Sequence, residues 1–295
     1  MMETWISFTL LAVVMQSVRT AGQKQIAKKI SPQAATLVRY VFGLPFALIY
    51  FYWLQADYSI TESLNPTFFM SASLAAVSQI AATVLLIKAL TLKNFAVGTA
   101  LAKTEAILTA VIGSLFFCAA LNLLGYLSVF LGVAGVLVAS NWRVSWADLA
   151  SNRSIKFGVG AGLGFAFSSL WIRDASLSLG IDGVVSAATV LVFMVTLQTV
   201  LCLLWIVIFE YPQIALIVKN LPASIFIGIT SLAGSIGWFT AMSLQNAARV
   251  KTLGQTEFLV TIAIATFYFS EKISGRELMD IALIGSSILV LLWAS

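Results

Sequence analysis

Two glutamates, Glu105 and Glu257, occupy matching positions in stretches of sequence that repeat 152 residues apart. Both lie in apolar surroundings, where an ionised side chain costs about 2.5–3.5 kcal/mol on insertion scales and therefore needs a reason to be there. Two carboxylates facing one cavity bind an ammonium group or take up a proton; the alternative is that each pairs with a cation and locks helices. Lys103 stands two residues before Glu105, a spacing that puts them on different helix faces, so any partner of Glu105 must come from another helix. A second group is Gln16, Arg19, Thr20 and Gln23, whose three- and four-residue spacing makes one polar helix stripe. Such a stripe belongs against the bundle interior or an aqueous cavity. Arg19 has a counterpart in Arg173, flanked by Trp171 and Asp174. Guanidinium forks grip carboxylate or phosphate with two hydrogen bonds, so both arginines are candidate anion ligands, snorkelling to the headgroups being the alternative. Gln79, and Gln255 at the position that repeats Lys103, complete the candidate substrate-binding set. Trp238 is a further candidate lining residue, and Arg39 reads as an interfacial anchor.

Other chemistry is excluded by composition. The chain has no histidine, the commonest metal ligand and neutral-pH proton shuttle. Cys118 and Cys202 both fall in apolar runs and read as packing residues. No nucleotide-binding loop, catalytic acid pair or metal-ligand spacing occurs, so neither an enzyme, a metal site nor a cofactor is expected. The formal charge of +5 comes from basic residues scattered at the ends of apolar runs, without the stripe that nucleic-acid binding uses.

The elements that must position these residues are membrane helices. Hydrophobic residues make up 60% of the 295 and charged ones 10%, with a mean hydropathy of +0.98, far from the quarter charged of a soluble domain. Apolar runs of membrane-spanning length recur, and they do not alternate as barrel strands would. In lipid such segments satisfy their backbone polar groups only as helices. Ten spans are expected, at about 4–23, 34–54, 67–90, 95–117, 121–140, 157–176, 184–209, 222–243, 252–269 and 278–294. The first run reads as a retained helix and not a signal peptide. Lys24, Lys28, Lys29, Lys88, Lys93, Arg143, Arg153, Lys156, Lys219, Lys272 and Arg276 fall at one set of ends, Asp57, Glu62 and Asp182 at the other. Positive charge collects in the cytoplasm, so both termini are expected outside it.

The repeat extends beyond the glutamates. Ala89–Glu105 aligns with Ala241–Glu257 through Ala89/Ala241, Leu92/Leu244, Asn94/Asn246, Ala96/Ala248, Leu101/Leu253, Thr104/Thr256 and Glu105/Glu257. The chain thus reads as two five-helix units, 1–143 and 144–295. Five is odd, so the second unit is inserted upside down. Inverted repeats place a site near the midplane that two related states open to either side, which is the geometry of alternating access. Duplication kept only for packing is the alternative.

On these features the chain resembles the drug/metabolite transporter superfamily, in its EamA type with two tandem five-helix units. Many members carry a Glu-Pro pair in the fourth helix of each unit; Glu105-Ala106 and Glu257-Phe258 keep the acid and lose the proline, which removes the usual cause of a helix break. Ser270-Glu271-Lys272-Ile273-Ser274 is similar to the turn that often follows. The resemblance implies a secondary transporter, usually an exporter of amino acids or related metabolites. The expectation is therefore an all-α integral membrane protein with ten transmembrane helices in two inverted repeats, in a bacterial inner membrane, as monomer or homodimer. It moves a small anionic or zwitterionic substrate, with coupled protons as a driving force alongside the substrate gradient. A non-transporting sensor or assembly partner, its buried charges purely structural, is the alternative.

Overall fold

The computed structural model describes residues 3–55, 58, 60–91, 102, 104–139, 153–260 and 275–293. Among these every regular element is helical. In chain order they are α1 (Thr4–Ile26), α2 (Pro32–Val41), α3 (Leu44–Leu54), α4 (Ile60–Ser63), α5 (Pro66–Thr91), α6 (Glu105–Phe116) and α7 (Leu123–Ala139). After them come α8 (Arg153–Ser178), α9 (Gly183–Phe209), α10 (Gln213–Lys219), α11 (Leu221–Leu244), α12 (Ala247–Leu253) and α13 (Gly275–Trp293).

Five segments are long and apolar enough to cross a membrane: Pro32–Leu54, Pro66–Ala89, Ile155–Ser178, Gly183–Phe209 and Leu221–Leu244. Shorter apolar helices occupy Glu105–Phe116, Leu123–Gly135 and Ile281–Trp293. α1 has 23 residues, but Gln16 and Arg19 lower its hydropathy. The expected spans 95–117, 121–140, 252–269 and 278–294 are described only in part. The outward surface suits lipid: Trp53, Leu115, Phe130 and Leu289 are exposed, whereas Arg19, Arg39, Gln79 and Gln198 are buried. A soluble protein distributes these residue types the other way.

The second span is two helices, not one. Pro45 lacks an N–H and its ring would collide with the Val41 carbonyl, so the helix stops at Val41 and restarts at Leu44. α11 crosses at this break, where a Cβ on Gly228 would lie 2.4 Å from that of Phe42.

Small residues set the tightest packing. α1 lies along α11, and a Cβ on Gly237 would stand 2.5 Å from the Phe8 carbonyl oxygen; only glycine permits that approach. α5 packs along α8, α7 along α13, α2 and α3 along α9, and α6 against α12.

Contacts at the helix ends define two faces. Lys29 Nζ donates to Asn220 Oδ1 at 3.1 Å, and the Ser31 N–H to Gln213 Oε1 at 3.0 Å. Lys88 lies 5.9 Å from the Phe157 ring centroid. The opposite ends meet where Asn65 Nδ2 donates to the Ser178 carbonyl at 2.8 Å and Asn246 Nδ2 to the Ala119 carbonyl at 3.0 Å. The first face collects Lys24, Lys28, Lys29, Lys88, Arg153, Lys156 and Lys219, with Glu210 beside Ser31; the second has Glu62 and Asp182, with Arg249 one turn inside it. This is the asymmetry expected from the sequence.

Two expectations need correction. Cys118 is not a packed helical residue: α6 ends at Phe116, and Cys118 is exposed in a turn with φ +50°. Arg39 is not an interfacial anchor. It is 5% exposed and lies inside the bundle, because α2 begins at Pro32 and carries it two turns inward.

Candidate functional site

α1 supplies the first wall. Ser17 and Thr20 return their hydroxyls to carbonyls four residues earlier, which consumes their polarity within the helix. The amide of Gln16 and the guanidinium of Arg19 are left pointing across the bundle. Gln16 Nε2 donates to Glu257 Oε2 at 2.8 Å, while Gln16 Oε1 accepts from Trp238 Nε1 at 2.9 Å. One amide thus joins three spans.

The indole of Trp238 lies over Gly254, where an added Cβ would be 2.4 Å from Cη2. Its ring also faces Lys251, whose Nζ is 4.3 Å from the centroid, within cation–π range. Lys251 Nζ in turn sits 3.2 Å from Glu105 Oε1. The carboxylate expected to find its partner on another helix finds it on α12.

Both glutamates stand where a helix starts. Glu105 is the first residue of α6 after Thr104. α12 runs into a 3₁₀ turn at Gly254–Thr256, and helix resumes at Glu257. A discontinuity is therefore present in the second half without the proline. The Glu257 N–H is bonded back to the Gly254 and Gln255 carbonyls, so the 3₁₀ turn leads directly into the helix.

These groups surround small cavities at the centre of the bundle. One of about 110 Å³ is lined by Gln16, Arg19, Thr20, Glu105, Lys251 and Glu257, with Leu86, Ala102 and Phe165. A neighbouring space is lined by Arg19, Arg39, Gln79, Ser168, Ser235 and Lys251 among others. Arg39 Nη1 donates to Thr83 Oγ1 at 3.1 Å, and Gln198 Nε2 to Gln79 Oε1 at 3.0 Å. Gln255 shares a third space with Glu105 and Glu257, and both polar atoms of its amide lack a hydrogen-bond partner.

Arg19 differs from the other central cations. It is 4% exposed, its Nε has no hydrogen-bond partner, and no described residue donates to, accepts from or ion-pairs with its guanidinium. Around these cavities the described residues place Arg19, Arg39 and Lys251 against Glu105 and Glu257. Cations exceed carboxylates by one.

The structure brings together Gln16, Arg19, Gln79, Glu105, Gln255 and Glu257 from the sequence-derived set, and leaves three apart. Arg173 neither faces these cavities nor reaches the headgroups: it donates to the carbonyls of Met242, at 2.7 Å, and Gln245, satisfying the end of α11. Trp171 packs edge-on against Phe117 at 4.7 Å. Gln23 is buried one turn beyond Arg19, with Nε2 unpartnered and outside these linings. Lys103 lies outside the described residues. Lys251 was missed, because the ninth span was expected to start at 252. Asn246 is the signal that locates it: its side chain accepts from the Ala248 N–H, so the helix begins at Ala247 and Lys251 lies on it.

Comparison with known proteins agrees with this architecture. A solved crystal structure superposes with a TM-score of 0.77, covering 100% of this chain and 99% of that one at 15% identity, a likeness of fold alone. No curated protein matches the chain in sequence. Residues 3–141 match the model of the EamA-like transporter family. Over those residues, with their polar stripe on α1 and their carboxylate on α6, the chain is similar to the EamA-like transporter family, which lies in the drug/metabolite transporter superfamily.

Proposed function

We propose that the chain is a secondary transporter that moves a small anionic or zwitterionic metabolite by alternating access between two inverted five-helix units, 1–143 and 144–295. The observation that carries this reading is the buried guanidinium of Arg19, which makes no hydrogen bond or ion pair with a described residue, beside a small central cavity. An arginine buried without a partner is costly, and a substrate carboxylate would supply both charge and acceptors. The excess of one cation favours the same class of cargo.

The helix pairings support the inverted repeat. Numbering the spans along the chain, α1 with α11 is the first with the eighth, and α5 with α8 is the third with the sixth; exchanging the halves turns one pair into the other. The pairs α2/α3–α9, α6–α12 and α7–α13 map onto themselves. A two-fold relation in the membrane plane has this property. The interrupted helix before Glu257 is also the kind of element that builds midplane sites in such folds. Glu105 and Glu257 are the groups available to carry a coupled proton. Both termini face away from the cytoplasm, with export as the physiological direction.

The test is exchange in proteoliposomes, using labelled amino acids, organic anions, cationic drugs and nucleosides, with and without a pH gradient. Specific flux of a carboxylate-bearing solute, lost in folded Arg19→Ala, is the expected result. Flux restricted to cations would overturn the cargo class. No flux for any class, with variants altered only in stability, would favour a sensor or assembly role.

A further inference from the structure

A cavity larger than the central one of about 110 Å³ lies elsewhere. It is a groove of about 560 Å³ on the lipid-facing side, between α2, α5 and α9. Its long wall is a single stripe on α5: Val77, Ile80, Ala81, Val84, Leu85 and Lys88. These fall at intervals of three and four residues, so they follow one helix face. From Val77 to Lys88 the stripe rises about 16 Å, at about 1.5 Å per residue. One leaflet of hydrocarbon is about 15 Å deep, half of a ~30 Å core.

The two ends of the groove differ in chemistry. At the inner end its walls are aliphatic. At the outer end stand Lys88, on the basic face, together with Gln33 at the start of α2 and Trp205, half-exposed near the end of α9. Tryptophan and lysine at a span end mark the headgroup level. The groove therefore runs from headgroups to midplane, apolar along its length and cationic at its mouth. Arg39, which lines a central space, bonds Thr83 on the helix that forms the long wall of the groove.

We propose that this groove is a binding site for one acyl chain of an anionic glycerophospholipid, with the phosphate held at Lys88. Three features select that occupant. The groove has the length of one leaflet, its opening faces lipid, and its one charged lining residue is a cation at headgroup depth. The inference is independent of what the central site transports.

Photo-crosslinking tests it on the full chain. The protein is reconstituted into phosphatidylcholine vesicles with a minor fraction of phosphatidylglycerol, either lipid carrying a photoreactive group in mid-chain. Adducts are mapped by mass spectrometry. Phosphatidylglycerol is expected to label residues 77–88 and 201–205 in preference to the rest of the apolar belt. Lys88→Gln should reduce its advantage over phosphatidylcholine about fivefold, the value of one cation near an anionic surface. Ala81→Trp, which fills the groove, should abolish labelling there for both lipids. Because Ala81 faces lipid, its variant should fold, and an unchanged melting temperature in detergent verifies this. Even labelling around the belt, equal labelling by both lipids in the wild type, or adducts joining two copies of the chain through this face would each overturn the proposal.

Discussion

Lys251 and Glu105 meet across the two halves of the chain, 3.2 Å apart and both largely buried. Neither lies at the position that repeats the other: Glu105 repeats as Glu257, and Lys103 as Gln255. The pair thus joins the halves asymmetrically, and Trp238, bonded through Gln16 to Glu257, backs it.

Removing one partner of a buried ion pair leaves the other charge uncompensated, at a cost of about 3–5 kcal/mol, whereas removing both can be close to neutral. Lys251→Met should therefore lower the melting temperature in detergent substantially. Lys251→Met with Glu105→Gln should recover most of the loss. Additive losses in the two single variants would mean that the two groups are not coupled.

Arg19 should behave differently. It makes no hydrogen bond or ion pair with a described residue, so Arg19→Ala should cost less stability than Lys251→Met. Hydrogen bonds to charged groups contribute about 1.5–3 kcal/mol, so half-saturation for a carboxylate substrate should rise roughly 10–100-fold. Arg19→Lys, keeping the charge without the fork, should fall between. Equilibrium exchange with increasing unlabelled substrate measures this.

Arg173, its counterpart in sequence, predicts the reverse. Its bonds end on the Met242 and Gln245 carbonyls. Arg173→Met should lose about 1.5–3 kcal/mol of stability and leave half-saturation unchanged. Thermal melts and exchange on the same preparation separate the two arginines.

Gly254 makes room for the Trp238 indole. Gly254→Ala should cost about 1–3 kcal/mol through overpacking. Trp238→Phe in that background should relieve part of the cost, since the smaller ring vacates the space. The comparison of melting temperatures among the three variants decides it.

The two faces are open to a direct check. With Cys118 replaced by serine, Asp182→Cys and Lys219→Cys should react with an impermeant maleimide from opposite sides of the membrane, and Lys219→Cys from the cytoplasmic side. Labelling of both from one side would reverse the topology.

Much of this was legible in the sequence, because lipid allows few alternatives. Apolar runs of spanning length must be helices, and the Gln16–Arg19–Thr20 stripe could face only inward. The repeat singled out Glu105 and Glu257. What was not legible depended on where helices break and cross. Pro45 stood in plain view, yet the second span read as continuous; Arg39 was assigned to the interface because it was read as opening that span, whereas α2 begins at Pro32 and carries it inward. Arg173 matched Arg19 in sequence but met the end of α11, a partner that no linear pattern reveals. Lys251 hid in what looked like a loop, one residue ahead of the expected span.

The break at Pro45 has a consequence for energetics. Its counterpart in the second half, α9, is unbroken over 27 residues. Halves of identical shape would give inward- and outward-open forms equal free energies. Halves that differ in stiffness cannot, so one form dominates at rest. Apparent affinity scales inversely with the fraction of molecules in the form that binds. A substrate arriving from the disfavoured side must also supply the free energy to change the population. On the proposed alternating-access cycle, a proline far from the charged centre would thereby give the carrier unequal half-saturation on the two sides of the membrane, and set which compartment it samples while it waits.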